Sequence, residues 1–167
     1  DGVEGLVFSA DGKRLAYAAK SGNRWSVVAD GHKGHLFDSI NVSSLTFSPD
    51  GRRLAYGAKK GRKWVLIIDG QESPELDYVD RPVFSPDSKR VAFPAKADNR
   101  WTVVSDGKTH RPYDYVEAVL FSPDSKRLGY IAKMKQTALV VVDGREGETF
   151  KEIGKNSLVF GRNGRIA

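Results

Sequence analysis

Short apolar runs alternate with polar turns along the whole chain. One run ends at Phe8, a second reads Leu15-Ala16-Tyr17-Ala18-Ala19, and a third reads Trp25-Ser26-Val27-Val28. The succession returns with Phe47, Leu54-Ala55-Tyr56 and Trp64-Val65-Leu66-Ile67-Ile68. A weak fourth run follows each third one, such as His35-Leu36-Phe37 or Arg111-Pro112-Tyr113. Val, Ile, Tyr, Phe and Trp crowd the runs, while Gly, Pro, Asp and Ser crowd the gaps, which predicts strands joined by turns. No run shows the i, i+3, i+4 spacing over a helical length. Runs such as Trp64 to Ile68 are apolar on both faces, so their sheet must be packed between two others.

The pattern is periodic. Phe8-Ser9-Ala10-Asp11-Gly12 returns as Phe47-Ser48-Pro49-Asp50-Gly51, Phe84-Ser85-Pro86-Asp87-Ser88 and Phe121-Ser122-Pro123-Asp124-Ser125. A weaker fifth copy opens at Phe160 with Asn163-Gly164, and the steps are 39, 37, 37 and 39 residues. In Ser-Pro-Asp-Gly, Pro presets φ, Asp bonds its own backbone and Gly accepts a positive φ. Ser88 and Ser125 at the Gly position suggest a less demanding conformation there. An Asp-Gly pair closes the third run in every full copy, at Asp30, Asp69, Asp106 and Asp143, and is a hairpin signal. Four-stranded antiparallel units stacked on one another make a β-propeller. The expected fold is therefore all-β, a single propeller domain or fragment over 1–167. Its repeats fall at about 3–42, 43–79, 80–116 and 117–155, with a partial fifth at 156–167. The last copy stops in mid-strand, which would leave backbone without partners, so the chain is expected to be part of a larger ring.

Phe-Ser-Pro-Asp-Gly-Arg-Arg-Leu-Ala-Tyr at 47–56 resembles the PD40 repeat, the WD40-like unit of TolB-type propellers. The resemblance covers nearly all of 6–167. It implies a bacterial repeat protein in a family that includes the periplasmic, protein-binding TolB propeller. The family also includes propellers that gate prolyl-oligopeptidase-like and tricorn-like peptidases. A periplasmic or envelope location follows from this resemblance alone. Such rings usually have six to eight blades, whereas this chain shows four and the opening of a fifth.

Composition narrows the chemistry. The 167 residues contain no Cys, which excludes a disulfide framework, a thiolate metal site and a cysteine nucleophile. No apolar stretch approaches the roughly 18 residues of a membrane span. No secretory leader opens the chain, although a mature protein with its leader removed would look the same. There is no Gly-x-Ser-x-Gly elbow, no His-Glu-x-x-His and no phosphate loop, so no catalytic site, cofactor or metal is expected. His32 and His35 could touch one ion but read as solvated loop residues, with His110 in the corresponding connection two repeats later. The recurring Asp11, Asp50, Asp87 and Asp124 read as turn residues, since calcium needs several carboxylates together. Trp25, Trp64 and Trp101 share one repeat position. They read either as packing between blades or as a stacking platform, and Ala138 in the fourth copy should pack differently.

The net charge is +6. Lys20, Lys59, Lys96 and Lys133 end the second run in every full copy, and Arg24, Arg62 and Arg100 lie beside them. With Lys60, Lys63 and Lys135 this makes ten positive charges against one negative, Asp98. These loops should gather on one face and attract an anionic partner, or simply solubilise the strand ends. The loops lack obvious aromatic residues for base stacking, which disfavours nucleic acid. The sequence therefore supports a non-catalytic scaffold for protein or peptide binding on its loop face. One alternative is a module for an anionic ligand or polymer through the seven named Lys and Arg residues. Another is the gating propeller of a peptidase whose catalytic domain lies outside this chain. Open blade ends, being apolar, are expected to favour self-association.

Overall fold

The computed structural model describes residues 2–154 and 157–161 and divides the chain into two compact units, Asp1–Pro82 and Val83–Ala167. In the first unit, β1 (Gly2–Phe8), β2 (Leu15–Ser21), β3 (Arg24–Ala29) and β4 (His32–Lys33) form one antiparallel sheet in sequential order. A second sheet contains β5 (Ser39–Phe47), β6 (Leu54–Lys60), β7 (Lys63–Ile68) and β8 (Gln71–Glu72), and β9 (Tyr78–Val79) follows it. The second unit holds β10 (Val83–Phe84), β11 (Val91–Ala97), β12 (Arg100–Ser105) and β13 (Lys108–Thr109). Its other sheet is β14 (Tyr115–Phe121), β15 (Leu128–Met134), β16 (Thr137–Val142) and β17 (Arg145–Phe150). Among the described residues the chain is thus all-β, with four four-stranded antiparallel sheets.

Each unit buries one apolar layer between its two sheets. In the first, Ala16, Ala18 and Val27 pack on Ile40, Leu45, Tyr56, Ala58, Val65 and Ile67. In the second, Ala92 and Val103 pack on Val116, Tyr130, Ala132, Leu139 and Val141. The small Ala residues let the sheets approach, and the β-branched residues fill the space between. Gly5 sits at φ 63° in a bulge of β1, and a Cβ there would lie 2.7 Å from Val42 Cβ. Only glycine permits that approach. Val3, Leu6 and Phe8 of β1 are 60%, 55% and 60% exposed, whereas Phe47, equivalent to Phe8, lies beneath the Arg14 guanidinium.

Three expectations change. The fourth strand is not His35-Leu36-Phe37 or Arg111-Pro112-Tyr113. It is the two-residue β4 or β13 directly after the Asp-Gly turn, and Phe37 and Tyr113 instead make isolated bridges to Trp25 and Trp101. A tight hairpin pairs its strands immediately, so the fourth strand begins at the turn. The second sheet opens at Ser39, ahead of the repeat boundary at 43. The Gly position of the Ser-Pro-Asp turn is fully left-handed, with φ 70° and 72° at Gly12 and Gly51 and 65° and 63° at Ser88 and Ser125. Ser125 offsets part of that strain by accepting the Asp87 N–H at 2.9 Å.

The fourth sheet departs most. Its β17 has six residues where β4, β8 and β13 have two. Ala138 pairs with Phe150 and packs with Ile131 and Leu158. Phe160 of the fifth copy lies within the described residues, while Asn163 and Gly164 lie outside them.

Candidate binding site

The recurring polar residues build the frame. Ser9 Oγ donates to Asp11 Oδ1 at 2.6 Å and accepts the Arg14 N–H at 3.0 Å, while Asp11 Oδ1 also accepts the Lys13 N–H at 3.1 Å. The same triad recurs at Ser48/Asp50, Ser85/Asp87 and Ser122/Asp124. The serine hydroxyl, then the turn amide, hold the carboxyls of Asp11, Asp87 and Asp124 below the usual carboxylate range. These carboxylates thus close turns.

A second recurring pair escaped the sequence reading. Arg14, Arg53, Arg90 and Arg127 donate Nε to Asp30, Asp69, Asp106 and Asp143 at 2.7, 2.9, 2.9 and 3.0 Å. The other oxygen of each Asp accepts a strand amide, from Leu15, Leu54, Val91 or Leu128. Two of these arginines also latch neighbouring sheets. Arg14 Nη1 donates to the Gly51 and Arg52 carbonyls at 2.9 and 2.8 Å, and Arg90 Nη1 to those of Ser125 and Lys126 at 3.1 and 2.8 Å. Arg14 lies over the Phe47 ring at 5.0 Å, and Arg90 over Phe121 at 4.9 Å. The signal was present as a constant Arg-to-Asp spacing of 16 residues.

The seven basic loop residues divide. Arg24 Nε lies 3.5 Å from Asp38 Oδ1, Arg100 Nε 3.5 Å from Asp114 Oδ1, and Lys133 Nζ 2.7 Å from Glu117 Oε1. Lys20 sits over the Trp25 ring at 5.8 Å. Lys59, Arg62 and Lys96 form no ion pair among the described residues. The link carboxylates Asp38 and Asp114, left out of the charge tally, also accept the Gly61 and Lys135 amides of the next hairpin at 2.5 and 2.6 Å. They offset part of the expected positive loop charge. Lys60 and Lys63 are likewise paired, with Glu72 and Asp77. The three Trp residues are half-buried, and Trp64 and Trp101 stack edge-on against Tyr78 and Tyr115 at 5.6 and 5.3 Å.

Each unit also has a groove between its two sheets, beside the Arg–Asp pairs. In the second unit it measures about 260 Å³ and is lined by Arg90, Ser105, Asp106, Lys108, His110, Leu128 and Asp143. His110 is one of its walls. Ser105 Oγ and His110 Nε2 are 2.9 Å apart, and Tyr130 Oη lies 3.4 Å from His110 Nδ1. Beneath them the Tyr113 and Tyr130 rings meet edge-on at 6.2 Å, and Tyr113 Oη donates to Glu146 Oε1 at 2.8 Å. Burial first, then the Arg90 charge, lowers the His110 pKa. Unlike the exposed His32 and His35, His110 is part of a packed network.

In the first unit the groove measures about 370 Å³. Ala29 stands where Ser105 does, Gly34 where His110 does, and Phe37 where Tyr113 does. The ring geometry is retained, with Phe37 edge-on to Tyr56 at 6.4 Å, but the hydrogen-bonding chain is gone except for the Tyr56 hydroxyl. Tyr56 is 7% exposed, its pKa is pushed up to about 12 chiefly by burial, and no described residue hydrogen-bonds its hydroxyl. A Cβ on Gly34 would lie 3.1 Å from the Val27 carbonyl oxygen and 3.7 Å from that hydroxyl. His32, Lys33 and Arg52 line the same groove.

No helix among the described residues is long and apolar enough to cross a membrane. No family model matches the sequence, and no curated protein matches it. Solved structures do. The chain resembles the β-propeller domain of the Trilobed protease from Pyrococcus furiosus, with TM-score 0.63, 11% identity, and coverage of 95% of this chain and 59% of that one. It also resembles acylaminoacyl peptidase, with TM-score 0.58, 11% identity and coverage of 93% and 33%. A third likeness is to TolB from Acinetobacter baumannii, with TM-score 0.54, 15% identity and coverage of 85% and 41%. The chain spans less than two thirds of the length of each. At these identities the likeness concerns the fold, and the four four-stranded sheets match those of β-propeller domains.

Proposed function

We propose that this chain is a PD40-type propeller module that binds protein or peptide and carries out no reaction. The observation that carries this is the contrast between a constant frame and a changed groove. The Ser–Asp turns and Arg–Asp pairs recur in all four sheets. The groove positions do not: Ala29, Gly34 and Phe37 in one unit become Ser105, His110 and Tyr113 in the other. A rigid frame with different linings is how a repeat scaffold presents different binding surfaces. The PD40 resemblance and the fold likeness to TolB support the reading.

The test is selection of a displayed random-peptide library on the whole chain. The proposal expects a consensus peptide that is still enriched at about 500 mM salt, its binding falling far less steeply than that of a polyanion. No enrichment of any consensus would contradict it. A second reading, an anionic ligand held by the basic loops, is favoured by Lys59, Arg62 and Lys96, which have no ion pair among the described residues. It predicts steeply salt-dependent heparin binding that is lost when these three become Glu. Salt-independent retention would contradict it.

A further inference from the structure

We infer that the groove of the first unit is a binding site for an imidazole ring carried by an anionic peptide segment, in the place that His110 fills from within the second unit. The inference rests on the peptide-binding reading and names its site and side chain.

The two units supply the template. Residue for residue, Val27, Gly34 and Tyr56 correspond to Val103, His110 and Tyr130. The backbone is the same at the decisive position, since Gly34 and His110 each donate their N–H at 2.9 Å, to the Val27 and Val103 carbonyls. The difference is one side chain. With His110 present, its ring is edge-on to Tyr130 at 5.8 Å and lies within hydrogen-bonding reach of the Tyr130 and Ser105 hydroxyls. With Gly34, that room opens to the groove.

The Tyr56 hydroxyl is the independent observation. It belongs to a nearly buried side chain, faces the Gly34 position and has no hydrogen-bond partner among the described residues. The Tyr56 oxygen is not among the buried side-chain atoms that lack a partner, so it opens to the groove, where a ring nitrogen can take the place of a solvent hydrogen bond. The surrounding walls, Val27, Ala29 and Leu54, suit a flat apolar ring body.

Charge at the mouth sets the rest of the ligand. Lys33 and Arg52 line the groove and form no ion pair among the described residues. Asp69 is held by Arg53 Nε and the Leu54 amide, and Arg14 is held by Asp30. In the second unit Thr109 replaces Lys33, and Lys108, in the place of His32, lines the groove there. The first groove therefore offers two cations to a carboxylate next to the ring.

N-acetyl-histidine is the probe, because it carries both the ring and a carboxylate. Titrated into the whole chain, it is expected to shift the Tyr56 ring signals and to saturate at about 1–10 mM, as befits so small a ligand. Histamine, with an ammonium in place of the carboxylate, should bind at least about 5-fold more weakly. Gly34→His should abolish binding by filling the site, and its melting temperature should not fall. Tyr56→Phe should weaken calorimetric binding about 3- to 10-fold. Unshifted Tyr56 signals, or undiminished binding by Gly34→His, would overturn the inference, and equal binding of histamine would overturn its anionic half. A library consensus peptide that lacks histidine and does not compete with the probe would remove this groove while leaving the peptide-binding reading intact.

Discussion

The two units set the same frame around different grooves. In the second, a chain of polar side chains runs from Glu146 through Tyr113 and Tyr130 to His110 and Ser105. In the first, the corresponding Glu72 is taken by Lys60, Tyr113 becomes Phe37, and His110 and Ser105 become Gly34 and Ala29. The ring stacking survives, at 6.4 Å against 6.2 Å between centroids. Packing therefore does not depend on the hydrogen bonds, and the hydrogen bonds do not dictate the packing. One unit uses its groove to satisfy its own buried hydroxyls, and the other leaves a hydroxyl facing outward.

The largest effects should be shared by both units. Phe37→Ala and Tyr113→Ala each remove a nearly fully buried ring and should cost about 3–5 kcal/mol in urea unfolding. A much smaller cost in one unit would mean that its two sheets are not packed as described. Next come the latches. Arg14→Ala and Arg90→Ala should each cost about 1–2 kcal/mol, because each loses carbonyl hydrogen bonds and a ring contact as well as a part-exposed ion pair. Similar values would confirm a common frame, and a threefold disparity would break it.

Smaller effects should separate the units. Tyr130→Phe should cost about 1 kcal/mol, whereas Tyr56→Phe should cost under about 0.5 kcal/mol or stabilise, since its hydroxyl has no partner to lose. Equal losses would erase the distinction. The pH dependence should differ too. Burial lowers the folded-state pKa of His110 below its ordinary 6.5, so the unfolded chain binds the proton more readily. His110 therefore adds full stability above pH 6.5, which is lost as pH falls below 6.5 toward the folded value. Arg90 opposes His110 protonation, while Asp106 and Asp143 favour it. Urea midpoints at pH 5.0 and 7.5 should converge in His110→Asn, and an unchanged difference would contradict the packed-network account. The depressed turn carboxylates Asp11, Asp87 and Asp124 act lower, their stabilisation fading as pH drops through and below their ordinary 3.8.

The frame was legible because its chemistry is local and repeated. Phe-Ser-Pro-Asp fixes a turn within five residues, and Asp-Gly fixes a hairpin within two, with Asp30 and Gly31 both left-handed at φ 51° and 81°. The groove was not legible, because it is defined by departures from the repeat. Gly34 carries no motif and reads as a turn residue. Tyr56 reads as an ordinary strand residue, since nothing in Leu54-Ala55-Tyr56 says that its hydroxyl lacks a partner. His110 read as a loop residue because the packing of Ser105 and Tyr130 around it spans two sheets. The partners of the loop charges were hidden for a related reason: Asp38 and Asp114 follow the fourth-run residues in sequence but fold onto the next hairpin.

The central claim is that three side chains distinguish a self-satisfied groove from an open one on the same frame. The most direct measurement transplants them, as Ala29→Ser, Gly34→His and Phe37→Tyr together in the whole chain, and reads the melting temperature and N-acetyl-histidine binding. The account predicts a rise of about 2–4 °C, as for a gain near 1 kcal/mol in a chain of this size, with loss of binding at Tyr56. A fall in melting temperature, or binding that survives, would contradict it.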